Sequence, residues 1–96
     1  MALPVELSPH AAIDLEEIAE YIAEDDAVAA ERWVERLIAR AARVGLYPRS
    51  GREVPELGDA TVREVFLGNY RIVYKLESAR VLVLKFVEGH QRLKRR

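Results

Sequence analysis

Apolar residues recur at helical spacing through the first half of the chain and alternate through the second, so two helices followed by strands are predicted. Leu3–Leu7 is short and mixed and reads as an edge strand. Ser8-Pro9 then offers a hydroxyl to cap a helix and a proline at the first helical position, where its missing N–H costs nothing. Ala11, Leu15, Ile18 and Ile22 mark the apolar face that follows, with Asp14, Glu16, Glu17, Glu20 and Glu24 on the others. Asp14, Glu16 and Glu17 fall toward the positive end of the helix dipole, an effect of roughly a few tenths of a kcal/mol. Glu24-Asp25-Asp26 breaks the pattern. A second helix is predicted from about Ala27 to Val44, with Ala30, Val34, Leu37, Ile38 and Ala41 as its buried stripe and Trp33 at the edge. Gly45 and Pro48 stop it, and so short a link makes the pair an antiparallel hairpin.

Pro48 to Ala60, containing PRSGREVPELGD, is dense in proline and glycine and reads as a loop. Gly68-Asn69 is a two-residue hairpin turn between Val62–Leu67 and Tyr70–Leu76, and a turn around Glu77-Ser78-Ala79 leads into Val81–Val87. With three residues in that turn, Tyr70, Ile72, Tyr74, Leu82, Leu84 and Phe86 share the core face, while Arg71, Val73, Lys75, Val83 and Lys85 form a surface with a basic row. A slip of one residue would reverse the last strand. Tyr21, Tyr47, Tyr70 and Tyr74 read as core or interface residues with a polar tip. The expectation is one α+β domain over 1–96: a two-helix hairpin packed on a small, mainly antiparallel sheet in the order β-α-α-β-β-β.

Half of the 96 residues are apolar, enough for a core at this size. With no cysteine there is neither a disulfide framework nor thiolate chemistry, and His10 and His90 are too few and too far apart for a metal cluster. Apolar runs such as Val81–Leu84 fall far short of the roughly 20 residues of a membrane span. The net charge of -1 conceals a sorting: Met1–Glu31 holds nine carboxylates and no Lys or Arg, and all 15 Lys and Arg lie in Arg32–Arg96. Such a chain can gather phosphate or an acidic partner at one end, or simply carry a solvated helix face beside a basic sheet.

The cations on strands hold the candidate chemistry. Arg63 can pair with Glu64 or Glu56 at the surface, and Arg71, on a central strand, wants an anion, either a partner's carboxylate or a phosphate. His90 can act as an acid or close a strand end on backbone. Trp33 can be core or partner-facing.

Together, the SPHAAIDLEEIAEYI opening, the Pro48–Gly51 loop, Arg63, the Tyr70–Tyr74 strand and a last strand running to His90 resemble the RelE/ParE toxin superfamily of type II toxin–antitoxin modules, nearer its ParE-like branch. The resemblance implies a small cytoplasmic toxin held inactive by a cognate antitoxin, without cofactor or metal. In the ParE-like branch the toxin poisons DNA gyrase, and Trp33, Arg63, Arg71, Lys75, Lys85 and Arg92 would contact antitoxin or target. In the RelE-like branch it cuts mRNA on the ribosome. Glu56 would then be the base, Arg71 the phosphate clamp and His90 the acid, with Lys75 and Lys85 in support. A third reading is a non-toxic module that only binds its antitoxin. The free chain is expected to self-associate, for instance as a homodimer, through the patch an antitoxin would cover.

Overall fold

The computed structural model describes residues 2–88. In chain order it contains β1 (Val5–Leu7), α1 (Pro9–Ala23), α2 (Ala27–Val44), β2 (Arg52–Glu53), β3 (Val62–Leu67), β4 (Tyr70–Leu76) and β5 (Val81–Glu88). The strands form one sheet ordered β1-β5-β4-β3-β2, in which β1 runs parallel to β5 and every other pair is antiparallel. The α+β hairpin-on-sheet class is as expected. The strand missed within the predicted loop is β2, where Arg52 lies opposite Glu64 and Glu53 opposite Arg63.

Ser8 starts α1 by accepting the Ala11 N–H at 3.0 Å, and its Oγ donates to the Leu84 carbonyl at 3.1 Å, which ties the helix start to β5. The first turn of α1 carries no acidic residue, so the dipole role predicted for Asp14, Glu16 and Glu17 fails. Asp14 instead accepts the Phe86 N–H at 3.0 Å. Asp26 caps α2 through the Ala29 N–H, also at 3.0 Å. Gly45 ends α2 in the ordinary right-handed conformation, not the left-handed one. Glycine is needed there because a Cβ would collide with the Leu3 carbonyl, and the Leu3 N–H donates to the Gly45 carbonyl at 2.9 Å.

The main core joins Ala11, Leu15, Leu37 and Ala41 of the helices to Ile72, Tyr74 and other residues of the sheet's upper face. Val44, not Ile38, completes the α2 stripe; Ile38 is 46% exposed. Tyr21 and Tyr47 are also outside the core, at 74% and 63%. The assignment of β5 needs the largest correction. Val73 pairs with Lys85 but Tyr74 pairs with Val83, so Leu84 is an extra residue that bulges the strand. The bulge changes parity within β5: Val81, Val83 and Phe86 all enter the core beneath the helices. Leu82 and Leu84, expected there, are only half-buried. Leu84 packs against a second cluster of Val54, Val62, Val73 and Val87, which the loop covers through Val54 and Leu57.

The PRSG segment is held by two side chains from the sheet. Fully buried Tyr74 donates its hydroxyl to the Pro48 carbonyl at 2.8 Å and accepts the Gly51 N–H at 3.1 Å. Arg63, opposite Tyr74, donates to the carbonyls of Gly51 at 3.1 Å, Ala60 at 3.3 Å and Arg49 at 3.5 Å. A Cβ on Gly51 would strike the Tyr74 hydroxyl and come within 2.7 Å of the Glu64 carbonyl.

Tyr74→Phe strips partners from Pro48 and Gly51 and should cost about 1–3 kcal/mol in urea unfolding at neutral pH. Burial raises the Tyr74 pKa above its ordinary 10.0, despite the lowering effects of Gly51, Arg63 and Arg40. The proton is therefore held more tightly in the folded chain. Its stabilising contribution is complete below pH 10.0 and is lost as pH climbs through the raised folded value. The gap between wild type and Tyr74→Phe should accordingly narrow above pH 10.0, measured by the same unfolding titration.

Candidate functional site

On the sheet face away from the helices, four charged side chains meet. The two-residue turn sets Phe66 opposite Arg71 and Glu64 opposite Val73, so Glu64 lies diagonally beside Arg71. Arg71, its side chain only 5% exposed, donates to one Glu64 oxygen from Nη2 at 2.6 Å and from Nε at 2.8 Å. Its Nη2 also reaches both oxygens of Glu56, at 3.1 and 3.4 Å. The second Glu64 oxygen accepts Arg52 Nε at 2.6 Å, and the Arg52 guanidinium lies over the Phe66 ring at 5.2 Å. Two cations and two carboxylates thus alternate. Among the described residues no buried side-chain polar atom lacks a partner.

Burial works against the Arg71 cation, but Glu64 and Glu56 outweigh it and its pKa rises. Glu64 is sealed inside, whereas Glu56, on the loop, is 23% exposed. An outside anion reaching Arg71 from the loop side would have to compete with Glu56. Glu56 and Arg71 are therefore brought together, but as an ion pair. His90 and Arg92, the remaining acid and contact candidates, lie outside the described residues.

The basic row expected on this face is broken up. Arg71 is neutralised internally and Lys75 is exposed, while half-buried Lys85 lines a recess of ≈ 420 Å³ with Asp14, Glu17 and Tyr70. Arg63 pairs with neither Glu64 nor Glu56 and serves the loop carbonyls instead. Trp33 is half-buried on the β3–β4 turn: it meets Tyr70 edge-on with ring centroids 5.6 Å apart, leaves no room for a side chain at Gly68 and is covered by Arg36 at 4.7 Å. Glu64 and Arg52 were missed as members of the network. The signal for Glu64 was present, since Gly68-Asn69 fixes a register that puts it on the Arg71 face; Arg52 sits in a segment read as loop.

Between α1 and α2 runs a second candidate surface, a groove of ≈ 660 Å³ with Ala23, Ala27 and Val34 among its lining and Glu20, Glu31 and Glu35 along it. Among the described residues no group of three or more His, Cys, Asp or Glu could hold a metal ion, and no helix is long and apolar enough to cross a membrane.

Residues 5–93 match the family described as ParE toxin of type II toxin-antitoxin system, parDE. A solved structure described as a chromosomal ParDE TA system from P. aeruginosa is similar with a TM-score of 0.76 at 16% identity, covering 91% of this chain and 96% of that one. At that identity the likeness is one of fold. No curated protein matches the sequence.

Arg71→Ala leaves Glu64 buried with Arg52 alone and should cost about 3–5 kcal/mol. Removing the part-exposed charge of Glu56 by Glu56→Gln should cost about 1 kcal/mol or less. Urea midpoints of the two variants check the ranking.

Proposed function

Because the chain belongs to the ParE toxin family of type II toxin–antitoxin systems, we propose that it halts bacterial growth by poisoning DNA gyrase in the cytoplasm and is neutralised by a cognate antitoxin. The observation that favours this over mRNA cleavage is the pairing of Glu56 with Arg71. A ribonuclease built on these residues needs Glu56 free to take a proton and Arg71 free to meet a phosphorane. Here each satisfies the other, and Glu64 holds Arg71 from beneath.

The fold gives Arg63, Arg71 and Glu64 an architectural part, so binding falls to surfaces not used in holding the sheet together. The groove between the helices suits an apolar antitoxin segment with flanking basic residues, because its lining is largely apolar and its carboxylates are exposed. An uncovered groove of this kind also gives the free chain a route to self-association.

Pulse-labelling of DNA, RNA and protein synthesis within minutes of inducing the chain alone tests the reading. DNA synthesis should stop first, with induction of the damage response. An early stop in translation with cut mRNA would replace gyrase by the ribosome as the target, and an unaffected culture would leave a module that only binds its antitoxin.

A further inference from the structure

The arginines among the described residues fall into two groups. Arg52, Arg71 and Arg80 each hold a carboxylate at 2.6 Å. Arg32, Arg36, Arg40, Arg43, Arg49 and Arg63 have no carboxylate within ion-pair distance among the described residues. All but Arg63, whose guanidinium is engaged by loop carbonyls, lie along one band. Arg32, Arg36, Arg40 and Arg43 follow at steps of four, four and three on α2, so they share one flank of the helix. Tight turns follow α2, the Leu46 N–H donating to the Arg43 carbonyl at 3.0 Å and the Ser50 N–H to the Tyr47 carbonyl at 2.9 Å, so exposed Arg49 stands just beyond the end of the flank. The band therefore continues from the end of α2 onto the PRSG loop.

We propose that this arginine band is a binding surface for the phosphate backbone of duplex DNA. The arc of α2 that bears it carries only arginine and alanine, Ala29 and Ala39 included, with no large apolar side chain. That composition lacks the aromatic and large apolar anchors around which a protein interface is built, and it matches the polar, strongly positive surfaces that contact nucleic acid. Single-stranded nucleic acid is held by stacking its bases on open aromatic rings. Of the rings beside the band, Trp33 is taken up by Tyr70 at its edge and by Arg36 over its face, and exposed Tyr47 stands singly, short of the row of open rings on which successive bases stack. From Arg32 to Arg43 the helix rises about 16 Å, a length over which a duplex presents about nine phosphates on its two strands. The four arginines on this rise match the share on one side. Exposed Glu16, Glu17 and Glu20 belong to α1 and Glu24 caps its end, while Glu31 and Glu35 of α2 line the inter-helix groove, so the carboxylates gather on α1 and at the groove and the arginines on the other flank of α2. Charge sorted in this way orients the molecule on a polyanion despite a net charge of -1.

The proposal rests on the gyrase reading only in that gyrase would supply DNA at the point of action. Fluorescence anisotropy of a labelled 20-base-pair duplex with the purified chain, titrated with monovalent salt, tests the band without gyrase. With four to five phosphates engaged, log Kobs should fall against log salt with a slope of about −4. Arg32→Gln/Arg36→Gln/Arg43→Gln, three exposed positions without carboxylate partners, should keep the fold by circular dichroism, reduce that slope by about 3 and weaken binding at low salt at least about tenfold. Arg80→Gln, which removes a cation already paired with Glu6 and Glu77, should change affinity less than about twofold.

Absence of binding at low salt, or a slope that the triple variant leaves unchanged, would overturn the proposal. So would single-stranded RNA binding at least tenfold tighter than the duplex, or equally strong competition by poly-glutamate. Failure of the band in a chain that still stops DNA synthesis first leaves the gyrase reading standing. DNA binding by a chain that stops translation first overturns the gyrase reading alone.

Discussion

A carboxylate without access to water sits in the middle of the sheet's lower face, and its neighbours are arranged to answer it. Glu64 is 1% exposed, and an ion so placed costs several kcal/mol of lost hydration unless cations meet its lone pairs. Arg71 from the adjacent strand and Arg52 from the short edge strand supply them. Arg71 in turn is enclosed, and Glu56 reaches in from the loop to meet its outer nitrogen. The requirement for charge balance thus draws β2 and the loop onto the sheet, and Val54 and Leu57 close a small apolar cluster beneath it. Such a network gives register more than net stability, because any slip of β3 against β4 would strand a buried charge.

Tyr74 and Arg63 make the corresponding arrangement at the end of the sheet with neutral partners. Backbone groups of Pro48, Arg49, Gly51 and Ala60 are satisfied by side chains projecting from β3 and β4. The PRSG segment is consequently a fixed part of the architecture, although its composition is that of a turn. The two arginines that stood out in the sequence both serve the fold, one through carboxylates and one through carbonyls.

Much of this was legible in the chain. The Ser8-Pro9 start, the acidic break before α2 and the Gly68-Asn69 turn are local signals, and each led to an element in its predicted place. Errors arose where the deciding partner is distant in sequence. The parity of β5 depends on a single extra residue, Leu84, and alternation alone contains no sign of it. Val44 takes the place expected for Ile38 because the buried stripe runs Ala30, Leu37, Ala41, Val44 at steps of seven, four and three, and Ile38, one residue after Leu37, is turned about 100° off it. For the site, the residue types were visible and their pairings were not. An arginine on a strand looks like a free cation until the strand register places a glutamate beside it.

The first helix also supplies something to the sheet that a strand would otherwise provide. β1 pairs with β5 only from Val81 to Val83, and beyond it the outer backbone of β5 meets Ser8 at Leu84 and Asp14 at Phe86. Two polar side chains therefore occupy positions along which a foreign strand would have to zip. An edge plugged in this way is a poor template for the runaway strand addition that leads to fibres. The charged helix thereby lets a short chain rich in β-branched residues present an unfinished sheet without inviting its own copies to extend it.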